Sequence, residues 1–100
     1  GIVAAIATPQ LKHYKQRIYD RDAKANLESL YFACKTYWAD DSSAQCSLDI
    51  AKETSNGYIQ SSYVVVNISS GKETKTTFEA TAKHNSSNKT YIIDKNGTIR

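Results

Sequence analysis

One hundred residues with 40% hydrophobic and 23% charged side chains allow one modest hydrophobic core and not two, so the chain reads as a single domain. The net charge of +3 is mild and falls in blocks of +3 over residues 1–38, −3 over 39–60 and +3 over 61–100. Alternating blocks suit head-to-tail contact between copies better than nucleic acid, which calls for one concentrated basic face, although chance scatter over a solvated surface gives the same pattern.

The first 38 residues, Gly1 to Trp38, predict one long helix that opens apolar, turns charged and ends aromatic. At about 1.5 Å per residue it would run to roughly 57 Å, longer than a 100-residue globule is wide. The apolar opening, Gly1 to Leu11, is too short to cross a bilayer, which takes about 20 residues. It starts without a Ser, Thr, Asp or Asn cap, and the expectation is that the helix continues upstream of Gly1 in a longer precursor. Pro9 lacks an N–H and crowds the preceding turn, which predicts a kink near Ala5 and Ile6. Steps of 100° separate the remaining apolar residues into two stripes. Tyr19, Ala23, Leu27, Leu30, Tyr31, Cys34, Tyr37 and Trp38 form the denser one, expected to pack on the rest of the domain. Leu11, Tyr14, Ile18, Ala25 and Phe32 lie nearly opposite at a heptad-like spacing, which points to a partner; scattered surface apolar residues are the plainer alternative.

Beyond Trp38 the Asp- and Ser-rich segment ADDSSAQCSLD ends the helical period, and residues 39–62 read as a connecting region with one helical turn over Leu48 to Thr54 and a turn at Asn56-Gly57. Residues 63–100 switch to a period of two. Val64, Val66 and Ile68 alternate with Tyr63, Val65 and Asn67, and Phe78, Ala80 and Ala82 alternate with Glu79, Thr81 and Lys83, giving two half-buried strands joined by a hairpin at Ser69 to Lys72. A third strand spans Thr90 to Asp94. Asn96-Gly97 then predicts a two-residue hairpin turn toward Thr98-Ile99, with Asn96 at positive φ. The fold class is α+β: one long N-terminal helix packed by its C-terminal half against a three- to four-stranded antiparallel sheet, with Tyr31 and Trp38 as the large fillers.

Cys34 and Cys46 are too few for a four-ligand metal site. A disulfide between them would stabilise the fold by about 3 kcal/mol and imply an oxidising compartment; two free thiols are the alternative. Asp40, Asp41 and Asp49 match no cation-loop spacing and read as a solvated loop. His13 and His84 lack neighbouring ligands, no serine sits in a nucleophile elbow, and no glycine-rich phosphate loop exists. No catalytic constellation and no cofactor is implied. Four Asn-x-Ser/Thr triplets, at Asn67, Asn85, Asn88 and Asn96, are accounted for by composition. Lys83, Lys89 and Lys95 are candidates for nucleic-acid or surface contact, without an aromatic platform to support them.

The run GIVAAIATPQL followed by a charged amphipathic helix resembles the inner part of the N-terminal helix of bacterial type IV pilins and of the related type II secretion pseudopilins. The closing segment, FEATAKHNSSNKTYIIDKNGTIR, is similar to the end of many pilins, where a strand of the F-x-A-x-A kind precedes a Y-x-I-D-x-x-G-x-I hairpin. With Gly57-Tyr58 ahead of Val64 to Val66, the resemblance covers nearly the whole chain. The start differs: the aromatic first residue and the glutamate of the family's apolar run would lie about a dozen residues before Gly1. The family's C-terminal disulfide loop has no counterpart, and the calcium-binding late loop of pseudopilins is not matched, which favours a pilin. The resemblance implies a homo-oligomeric helical filament, held in the inner membrane by the preceding segment before assembly and extracellular afterwards. It implies filament contacts through Ile2, Val3, Ile6, Pro9, Leu11, Tyr14, Ile18, Ala25 and Phe32, local unwinding near Thr8 and Pro9, and O-linked sugar acceptors among Ser42, Ser43, Ser86 and Ser87. A pseudopilin, or a pilin that binds DNA or a surface, is the alternative.

Overall fold

The computed structural model describes residues 12–100 with their side chains. The chain folds as α1 (Ile2–Asp40), β1 (Cys46–Ser47), α2 (Leu48–Ala51), β2 (Val64–Ile68), β3 (Lys72–Glu73), β4 (Glu79–His84) and β5 (Thr90–Asp94). From Lys12 to Asp40 the helix contains no glycine or proline and only two β-branched residues, Ile18 and Thr36, so intrinsic propensity favours it throughout. It runs two residues past Trp38. There Asp41 accepts hydrogen bonds from the N–H and hydroxyl of Ser43 at 3.2 and 3.1 Å, a local arrangement that competes with further helix. The expectations placed on Ile2, Val3, Ile6, Pro9 and Leu11, including the kink, lie outside the described residues.

A three-stranded antiparallel sheet in the order β2-β4-β5 packs on α1. Val64, Val66 and Ile68 are buried while Val65 and Asn67 face out, and Ala80 and Ala82 are buried on the central strand, as the alternation predicts. Small residues at the centre let a helix approach closely. The last residues extend the sheet, since Ile92 and Arg100 exchange both backbone hydrogen bonds and Ile93 bridges to Ile99.

Two connections differ from the sequence-based expectation. Ser69 to Lys72 does not close a hairpin: Ser69–Gly71 makes a 3₁₀ turn, and Lys72–Glu73 pairs as β3 with β1, forming a separate two-stranded sheet. Two-residue strands have no period to read, so neither β1 nor β3 was legible. The C-terminal turn encloses three residues rather than two, because Asp94 N–H bonds to the Thr98 carbonyl and Gly97 N–H to the Asp94 carbonyl. Gly97, at φ +81°, supplies the positive φ, while Asn96 donates its N–H to the Asp94 carboxylate at 2.9 Å. Asp94 also accepts from Thr98 N–H, so one carboxylate organises the whole turn.

The core joins the helix to both sheets. Ala23, Leu27, Leu30, Cys34 and Trp38 are buried along α1, and Tyr31 and Tyr37 are partly buried against them. Tyr58, in the loop before β2, is fully buried, and Phe78, just ahead of β4, is buried with Ala80 and Ala82 on the face the alternation predicts. Phe78 receives Trp38 edge-on at 5.4 Å and Tyr31 at 5.9 Å. The helix end is tied down twice: Cys34 and Cys46 form a disulfide, their Cα atoms 5.7 Å apart, and Trp38 Nε1 donates to the Ala44 carbonyl at 3.0 Å. The following short helix α2 is capped by Ser47, whose hydroxyl accepts from Ile50 N–H.

Candidate assembly face

Three polar clusters fix which side of α1 meets the head. Asn26 is 8% exposed; its amide oxygen accepts from the Tyr58 hydroxyl and from Ser61 N–H, both at 3.1 Å, and its amide nitrogen donates to the Asp22 carbonyl at 2.8 Å. Burial pushes the Tyr58 phenol up to about 12.

One turn and a half earlier, Asp20 accepts from Gln16 at 2.8 Å and pairs with Lys89 at 3.8 Å. Partial burial works to raise its carboxyl, but hydrogen bonds from Gln16 and Tyr91 and the charges of Lys89 and Lys24 outweigh it and hold the group below its ordinary range. Tyr91 is raised in turn by burial and by Asp20, and Lys24 lies 4.9 Å from its ring centre. Gln16 also donates to the hydroxyl of Ser87, which is buried. Ser87 is therefore not the exposed sugar acceptor that its polar loop suggests.

His84, at the end of β4, is buried in a third contact. Its ring stacks on Tyr19 at 4.4 Å, its Nδ1 accepts from Ser86 N–H at 3.0 Å, and its Nε2 lies 3.6 Å from the Asp22 carboxylate. That arrangement leaves Nε2 as the protonated nitrogen facing Asp22.

These contacts turn the opposite side of the helix to solvent. Tyr14 and Phe32 are 62% and 63% exposed, Ile18 is 38% exposed, and Ala25 is exposed as well. At 100° per residue the four fall within about 40° of one another, so the exposed apolar atoms form one strip along the helix. Ser29 and Thr36 share that strip, and the Thr36 hydroxyl bonds back to the Phe32 carbonyl at 3.0 Å, leaving no charge on it between Ile18 and Phe32 except at its margins. Further exposed apolar side chains, Ile59, Tyr63 and Val65, lie on the loop before β2 and on β2 itself.

The lysines proposed for nucleic-acid or surface contact do not share one place. Lys83 pairs with Thr90 at the start of β5, and Lys89 is engaged with Asp20 nearby. Lys95 follows the other end of β5, roughly 17 Å away at about 3.3 Å per residue. Among the described residues no three His, Cys, Asp or Glu side chains come together to hold a metal ion.

Comparison with known proteins adds no relative: no family model, no curated protein and no solved structure matches the chain. Asn26 and Tyr58 are the functional supports that sequence reasoning missed. Asn26 had a signal, lying three residues after Ala23 and four before Leu30, inside the buried sector; Tyr58 stands in a loop with no period to mark it.

Proposed function

We propose that this chain is the structural subunit of a bacterial type IV pilus, with α1 in the filament core and the sheets displayed outside. The observation that carries the reading is a helix with two apolar faces of which its own head covers one. Full burial of a side chain such as Phe32 or Ile18 contributes about 1.5–3 kcal/mol, so repeating the strip along neighbouring subunits supplies a substantial association energy. The α+β fold, a long helix laid against antiparallel sheets, is consistent with a pilin, and the apolar start and Y-x-I-D-x-x-G-x-I ending of the sequence point the same way. The Cys34–Cys46 disulfide suits assembly in an oxidising space and an extracellular destination. In this reading the subunit waits in the inner membrane and partners only with copies of itself.

The test is electron microscopy of cells expressing the protein from its full-length gene, with Ile18→Glu and Phe32→Glu as separate variants. Wild type should give thin helical filaments and each variant none, while circular dichroism of the purified variants stays that of the folded head. Filaments of normal number and length from both variants would sink the proposal.

A further inference from the structure

An open groove of about 600 Å³ lies beside the last turns of α1, lined by Tyr31, Lys35, Trp38, Lys75, Lys95 and Asn96. Its three lysines come from three separate segments: the helix, the link between β3 and β4, and the turn after β5. Each segment is held in place. The helix end is fixed by the disulfide and by the Trp38 bond to Ala44. Lys75 sits in a turn closed by Thr77 N–H on the Thr74 carbonyl at 3.2 Å and by Thr74 N–H on the Thr77 hydroxyl at 3.2 Å. The Lys95 carbonyl accepts from the Tyr31 hydroxyl at 3.1 Å, and the Tyr31 ring closes over Gly97 so tightly that a Cβ there would lie 2.9 Å from it.

No carboxylate lines the groove, and the acidic groups that flank Lys75 and Lys95 in sequence, Glu73 and Asp94, are already engaged. Glu73 accepts from the Thr77 hydroxyl, and Asp94 accepts from two turn N–H groups and lies 3.6 Å from Arg100. Among the described residues Lys35, Lys75 and Lys95 form no ion pair. Lys35 Nζ is instead held 5.3 Å from the centre of the Tyr31 ring, inside the groove. The groove is therefore a concave surface with three uncompensated positive charges, the half-buried Tyr31 in its wall, the edge of the largely buried Trp38 at its floor and one neutral amide, Asn96.

The geometry points to a binding site for a phosphorylated sugar, with the phosphate drawn to the lysines that line the groove and the sugar seated beside Tyr31 and Asn96. Its volume falls in the range of small-molecule sites, about 300–1,000 Å³, and exceeds what a bare anion fills. Lysines serve as point-charge partners of phosphate, and a phosphomonoester brings close to two negative charges at neutral pH where a carboxylate brings one. A polyanionic strand is the poorer fit, because Lys83 and Lys89 lie at the far end of the sheet and give it no continuous track. Occupancy of the site is measurable on the free subunit, so its test does not depend on filament assembly.

The experiment is a titration of the ¹⁵N-labelled protein with glucose 6-phosphate at about pH 7.5, where the ester is dianionic, with glucose and glucuronate as parallel arms. Saturable shifts are expected for the Trp38 indole N–H and the Thr76 and Asn96 amides, with no response to glucose and at least about tenfold weaker binding of glucuronate. Lys75→Gln with Lys95→Gln, both at exposed positions, should weaken glucose 6-phosphate binding by about tenfold or more while amide signals away from the groove stay in place. The proposal is overturned by no saturable shift up to about 10 mM ester, by equal binding of glucuronate or glucose, or by unchanged affinity in the double variant.

Discussion

Asn26→Ala removes one side chain that three parts of the fold share. Tyr58, 2% exposed, would keep its hydroxyl in the core without its acceptor, and Ser61 N–H would lose its partner at the entry to β2. A buried donor left without a partner costs about 1–3 kcal/mol, and the third bond, to the Asp22 carbonyl, adds little because that carbonyl keeps its place in the helix. The better helix propensity of alanine returns about 0.5 kcal/mol. The expected net loss is about 3 kcal/mol, a large share of the roughly 5–15 kcal/mol that stabilises a small domain. Urea unfolding of the oxidised protein, followed by fluorescence of its single tryptophan, Trp38, measures it. On a Tyr58→Phe background the orphaned hydroxyl is gone, so the same substitution should cost at least about 1 kcal/mol less. A loss below about 1 kcal/mol, or no coupling between the two positions, would refute the assignment of Asn26 as the hub between helix and head.

Replacing Cys34 and Cys46 by serine, or reducing them, should lower stability by about 3 kcal/mol, read as a shift of the urea midpoint between oxidised and reduced samples. The folded-state pKa of Tyr58, about 12 against an ordinary 10, makes the folded form hold its proton longer than the unfolded chain. Stability from this group is thus complete below about pH 10 and falls as pH rises toward 12, by about 2 kcal/mol; Tyr58→Phe should flatten that alkaline decline. Gly97→Ala meets both a positive φ and the Tyr31 ring, whereas Gly57→Ala, at φ +82°, meets open space. Calorimetry should show about 1 kcal/mol lost at Gly57 and a clearly larger loss at Gly97; equal losses would mean that Tyr31 swings aside freely.

Periodicity made the main elements legible. The helix shows two stripes from Leu11 to Trp38, and β2 and β4 follow runs whose alternation matches their buried and more exposed faces, while β5 falls on the expected run Thr90 to Asp94 without a clean alternation. Where the chain uses a single residue instead of a pattern, sequence reading failed. Glycine rather than asparagine takes the left-handed position after β5 because the turn encloses three residues, which puts the αL position at Gly97. The pairing of Cys46–Ser47 with Lys72–Glu73 is fixed by the disulfide and the core beneath it, not by strand propensity. The outward strip was visible as Tyr14, Ile18, Ala25 and Phe32, because helical spacing alone sorts faces. The lysine groove was not visible, since it exists only where three distant segments converge.

The central claim, that the uncovered face of α1 is where subunits meet, is tested most directly by a photo-crosslinking residue placed at Phe32 in cells making the full-length protein. Illumination should convert the monomer band into a ladder of covalent multimers of this chain alone. A monomer band that persists unchanged, in cells where the protein is exported and folded, would contradict the account.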